Sequence, residues 1–185
     1  MTDRPPHRRA ELFTGDESDV RFSTPTTGDE RALLLAFLQA QRATLELKCT
    51  GVEAELARRS AAPSTLSLLG LVRHLADMER RWFRRTMAAQ QAPPRFSSPA
   101  EPDHDFDGAV PDPAVVAEAW RTWHSEVAFS DAFVAAAPDL DLVGEDSWRG
   151  QVSLRWVIVH MIEEYARHNG HADLLRERID GAVGL

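Results

Sequence analysis

The stretch His160-Met-Ile-Glu-Glu-Tyr-Ala-Arg-His168-Asn-Gly-His171 sets three imidazoles and a carboxylate at helical spacing. At ~100° per residue, His160, Glu164, His168 and His171 fall within a wedge of roughly 80° on one helical face. The helix that carries them is otherwise amphipathic and apolar on its inner side. A polar stripe facing a core is costly unless partners satisfy it. The chain must therefore bring other elements to that stripe, and a divalent cation is the most economical partner for such donors.

The rest of the chain supplies helices to surround it. A helical pattern runs from about Asp29 to Arg59, with Leu34, Phe37, Leu38, Leu45 and Val52 inward and Gly51 as a break. Pro63-Ser64-Thr65 stops it and offers a new N-cap. A second helix runs from about Leu66 to Gln90, with Leu68, Leu69, Val72, Leu75, Met78, Trp82 and Phe83 on its apolar face. A third runs from about Pro113 to Ala137, with Pro113 at the first-turn position that tolerates it. Its face is marked by Val116, Trp120, Trp123, Val127 and Phe133. Ser153 caps the fourth, which reaches about Ile179 and ends near Gly181. The segments 92–113 and 138–152 are too long for tight connections and read as crossover loops. No stretch sustains a period of two, so no substantial sheet is expected. The pattern predicts an all-α four-helix bundle with long crossovers over residues 28–185. Residues 1–27, polar and rich in Pro, Thr and Asp, form an extended N-terminal arm that Leu12, Phe13 and Phe22 could tack to the body.

One ion cannot take the whole stripe, because His160 and His171 lie ~16 Å apart along the axis. The adjacent pairs are His160/Glu164, Glu164/His168 and His168/His171. Glu164/His168 sits midway along its helix, where a bundle is deepest, and is the preferred pair. The third ligand must come from another helix. His74 is the only histidine of the second helix and lies among Leu69, Val72 and Leu75. Two His and one carboxylate suit Zn, Ni or Fe and leave positions open for water or substrate. The bland alternative is a solvated helical ion pair at Glu164/His168 and a satisfied core His74. His-Glu-x-x-His is absent, so the metalloprotease helix is not supported.

Composition narrows the function further. A net charge of -8 argues against nucleic acid as a partner. No run approaches the ~20 apolar residues of a membrane span, and the N-terminus lacks a signal-peptide core. A cytoplasmic location is the default expectation. Cys49, the single cysteine, has an apolar helical context and reads as a buried hydrophobe.

Leu-Val-Arg-His74-Leu-Ala-Asp-Met-Glu and Glu164-x-x-x-His168-Asn-Gly-His171-Ala-Asp-Leu-Leu-Arg-Glu resemble the DinB-like (YfiT-like) four-helix-bundle superfamily. The resemblance spans about residues 28–182 and is greatest to an actinobacterial branch related to mycothiol-dependent enzymes. It implies a metal held by His74, Glu164 and His168, in the Glu/His variety used by the mycothiol-dependent maleylpyruvate isomerase. His171 stands where other members have Gln, so its role is open. His171 and His160 are alternate ligands or neighbours of the ligands. Glu163, Asp77 and Glu79 are carboxylates that could orient ligand imidazoles. Characterised relatives use mycothiol or bacillithiol as a small-molecule thiol against an electrophile, and a homodimer is expected. The resemblance thus implies a metal-dependent S-transferase or isomerase, with no catalytic residue beyond the metal ligands assigned. The alternatives are a non-catalytic, stress-associated metal-binding bundle and a metal-assisted hydrolase, in which a metal-bound water attacks.

Overall fold

The computed structural model describes residues 19–50, 60 and 64–182. Its elements are α1 (Glu30–Cys49), α2 (Leu68–Glu79), a π-helix (Arg80–Met87), a short α3 (His104–Asp107), α4 (Pro113–Ala136), β1 (Val143–Asp146), β2 (Gly150–Ser153) and α5 (Leu154–Asp180). The architecture is a bundle of four long helices, as the periodicity predicts. α1 lies along α5, α2 along α4, and α2 also meets α5.

Helix ends follow local chemistry. The Asp29 carboxylate accepts from Ala32 N, Ser67 Oγ from Gly70 N, Asp112 from Ala114 N and Ser153 Oγ from Trp156 N. Pro113 occupies the first turn of α4. Gly181 closes α5 at φ +78°, a left-handed conformation that glycine adopts without a steric penalty. The extension of the first helix over 51–59, with Gly51 and Val52, lies outside the described residues, as do Leu12 and Phe13 of the arm.

Four details depart from the sequence expectations. The second helix does not stay α-helical to its end: Ala88 N–H donates to the Phe83 carbonyl, five residues back. Its sequence, Arg-Arg-Trp-Phe-Arg-Arg-Thr-Met, repeats every four residues, longer than the 3.6 of an α-helix. The wider turn buries Trp82, Phe83, Thr86 and Met87 together while the four arginines face outward or lie half-buried. The segment 138–152 is not wholly irregular. It holds an antiparallel hairpin in which Val143 faces Ser153 and Asp146 faces Gly150. Gly144 permits it, since a Cβ there would stand 2.6 Å from the Thr86 carbonyl oxygen. The first crossover contains α3. Phe37, expected inward, is half-exposed and shares a surface groove with Phe22 of the arm.

The core is apolar, with Leu38, Leu45, Leu68, Leu69, Leu75, Trp82, Phe83, Trp123, Ile158 and Met161 buried. One charged cluster crosses it. Glu79, fully buried, accepts from Arg42 Nε and Nη2, each at 2.8 Å, from Ser130 Oγ at 2.6 Å and from Tyr165 OH at 2.9 Å. Trp123 Nε1 donates to Tyr165 OH at 2.8 Å. Arg42 Nη1 also donates to Asp131. Glu79 is therefore neither a solvated charge nor a partner for a ligand imidazole. It joins α1, α2, α4 and α5 in a single hydrogen-bonded knot, with every polar atom of its carboxylate occupied.

Candidate metal centre

His74, Glu164 and His168 converge, with one ligand atom from each lying within 4.8 Å of the others. α2 delivers His74 and α5 delivers the other two, one turn apart on its inner face. The His168 Nε2 to Glu164 Oε2 distance is 3.5 Å, and His74 Nε2 to the same oxygen is 4.0 Å. Ligand bonds of about 2.1 Å in a tetrahedral site place donor atoms roughly 3.4 Å apart. With all three donor atoms within 4.8 Å of one another, the widest pair needs to close by up to roughly 1.4 Å to meet one ion. Imidazole nitrogen and carboxylate oxygen are the right chemistry for Zn, Ni or Fe, and three such donors converge among the described residues, fewer than the coordination number of these ions.

The His74 imidazole is held in a fixed orientation. His74 Nδ1 lies 2.8 Å from Asp105 Oδ2, which leaves Nε2 to face Glu164. Phe106 stacks on the His74 ring at 4.8 Å and 23°. α3 is fixed in turn by Arg73, whose Nε donates to the Asp105 carbonyl and whose Nη2 donates to the His104 carbonyl, both at 2.8 Å. The backbone of α3 comes close enough to Gly70 that a Cβ there would stand 3.3 Å from Phe106 Cα. Asp105 is the orienting carboxylate that sequence reasoning missed. It sits in a segment with several exposed acids, and nothing in the order of residues singles it out.

Asp77, the carboxylate expected beside the ligands, is used elsewhere. It accepts from the backbone N–H groups of Arg95, Phe96 and Ser97, and so clamps the start of the crossover. Glu163 is exposed and lies 3.5 Å from His160 Nδ1 while accepting from Arg167. His160 Nε2 lies 3.5 Å from Glu164 Oε1, the oxygen not shared by the other two imidazoles. His171 Nδ1 lies 3.4 Å from His168 Nδ1, on the far side of that ring from Glu164. His104 and His124 stand apart from the cluster, His124 meeting Glu46 on the surface.

Electrostatics follow the geometry. Burial disfavours charge on His74, but the Asp105 hydrogen bond and Glu164 beside it outweigh burial and lift its pKa to about 9. The imidazoles of His168 and His74 hold Glu164 well below the usual carboxylate range, against its partial burial. Partial burial and the charges of His168 and Arg167 lower His171. A pocket that concentrates negative charge on Glu164 and Asp105, and so favours a proton on His74, suits a divalent cation by the same field. Cys49 is buried on α1, and burial pushes its thiol up to about 12, so it offers no thiolate.

Above the donors, α5 presents a second cluster. Trp156 stacks on His160 at 4.8 Å and 17°, and Trp82 of the π-helix meets both rings edge-on at about 5 Å. Trp156 opens onto a groove of about 700 Å³ lined by Trp148, Arg149, Gln151, Val152 and Ser153. Trp82, Trp123 and Tyr165 are core residues, so of these four aromatic side chains only Trp156 lines the groove. Among the described residues, no helix is long and apolar enough to cross a membrane.

Compared with known families, the chain matches Mycothiol-S-transferase over residues 33–181, from the first turn of α1 through the end of α5. No functionally curated protein matches it.

Proposed function

Because the chain belongs to the mycothiol-S-transferase family, we propose that it joins mycothiol, through its sulfur and with loss of the thiol proton, to a small electrophile at a metal held by His74, Glu164 and His168. The observation that carries this reading is the meeting of those three donors, from two helices, in a set that leaves coordination positions open. A divalent Zn, Ni or Fe ion bound there supplies the Lewis acidity that allows a thiol to lose its proton at neutral pH.

The chain's own residues do the remaining work. Asp105 fixes the His74 ring with Nε2 inward. His171 does the same for His168: facing Nδ1 atoms share one proton, carried by His168 and accepted by His171, so that His168 Nε2 is free to ligate. Phe106 covers the His74 ring and excludes water from one side. His160 holds the second oxygen of Glu164 in place. The sulfur must come from a cosubstrate, since Cys49 is buried, protonated and on another helix.

Elemental analysis of untagged protein tests the site. We expect about one Zn, Ni or Fe per chain, as three protein ligands imply, and loss of that metal in His168→Ala. Loaded protein is then assayed for mycothiol consumption against a panel of small electrophiles. Wild-type protein that takes up no metal even after incubation with Zn overturns the reading. Metal uptake without any thiol consumption leaves a metal-binding bundle and refutes the transferase.

A further inference from the structure

The hairpin between α4 and α5 holds an exposed tryptophan on a rigid mount. Trp148 is 77% exposed, the largest exposure of any large hydrophobic side chain among the described residues. Its turn is locked from beneath. Asp146, buried, accepts from Trp148 N at 3.2 Å and Arg149 N at 2.9 Å, and Arg81 of the π-helix donates to the same carboxylate. Gly150 completes the turn at φ +74°. β1 is seated on the π-helix through Gly144, which has no room for a side chain. An indole left in water costs free energy, and here a buried carboxylate and two glycines keep it there.

What faces that indole is mixed in a specific way. The Arg149 guanidinium lies 4.5 Å from the Trp148 ring and 5.0 Å from the Trp156 ring. Gln151 and Ser153 add an amide and a hydroxyl to the same groove. The Trp148 face turned away from Arg149, with the guanidinium, an amide and a hydroxyl around it, matches a sugar, whose axial C–H bonds rest on the negative face of an indole while its hydroxyls pair at the edge. The groove is wide and open, with a single cation already engaged by two rings, which suits a neutral polyol better than an anion.

Distance ties this groove to the donors. Trp156 precedes Glu164 by eight residues on α5, ~12 Å along the axis, and His160 bridges them, stacked on Trp156 and 3.5 Å from Glu164. Mycothiol is an acylated cysteine joined by an amide to a two-ring glucosaminyl-inositol, and its length from sulfur to the outer ring is comparable. We infer that Trp148, Arg149 and Trp156 form a saccharide platform that binds the glucosaminyl-inositol of the thiol cosubstrate while its sulfur reaches the donors. This rests on the thiol-transferase reading and adds which end of the cosubstrate is recognised and where.

Isothermal titration with N-acetylglucosaminyl-inositol, which lacks the cysteine, tests the platform without any reaction. We expect wild type and His168→Ala to bind it equally, and Trp148→Ala to bind about tenfold more weakly. Trp148 is on the surface, so its removal leaves the core intact, and Arg149→Ala provides a second variant with the same expected direction. Equal binding by wild type and Trp148→Ala, or binding of benzoate but not the saccharide, overturns the platform. Titration of metal-loaded protein with whole mycothiol separates the two ideas. Tight binding unaffected by Trp148→Ala overturns the platform alone, whereas no binding by loaded wild type overturns the thiol reading as well.

Discussion

At the scale of single residues, the proposed metal site depends on groups outside the three donors. Asp105→Asn keeps the shape of the side chain but removes the charge behind His74. We expect metal affinity to fall about 10- to 100-fold with the helical circular dichroism unchanged, as read by chelator competition. On the proposed reading, proton and cation compete for His74. In the metal-free chain its pKa is about 9, above the ordinary 6.5. The stability gained from its charge is therefore full below about 6.5 and is lost as pH rises through about 9. Metal affinity has the opposite slope. It should rise about tenfold per pH unit up to that value, because each binding event displaces one proton. Chelator competition at three pH values checks this, and a flat profile would contradict it.

At the scale of elements, what could be read from the chain depended on whether a signal was local. His74, Glu164 and His168 were legible because two of them sit at i,i+4 on an apolar face and the third is the lone histidine of its helix. The caps Ser153 and Gly181 and the first-turn Pro113 were legible for the same reason. Asp105 was not, because α3 is a four-residue turn that exists only through Arg73 and the close approach to Gly70. The hairpin was hidden because its alternation buries Gly144 and Asp146, a glycine and a charge, in place of the apolar residues that mark a strand. The four-residue period of the π-helix was present in the sequence but reads as an ordinary amphipathic face. Gly144→Ala tests the strand's seat. Its Cβ would collide with backbone, so we expect a loss of about 1–3 kcal/mol, measured by urea denaturation, and a loosened Trp148 turn.

At the scale of the whole molecule, stability and function use separate polar clusters. Glu79→Ala leaves Arg42 buried without its main partner and Tyr165 and Ser130 without an acceptor. We expect a cost of about 3–5 kcal/mol, seen as a fall in denaturation midpoint in both metal-free and loaded protein. Removing the metal with a chelator should act differently. It should lower Tm by an amount set by the binding free energy yet leave the helical signal unchanged, because the apolar core and the central knot contain none of the three donors. Unfolding on chelation would contradict that separation. The position of the knot has a consequence of its own. His74 lies five residues before Glu79, and Glu164 is the neighbour of Tyr165, so the Glu79–Tyr165 bond sets the aperture between the ligand-bearing helices from within. With that frame set by hydrogen bonds internal to the protein, substitutions around the opening are expected to change what is bound and leave its width unaltered.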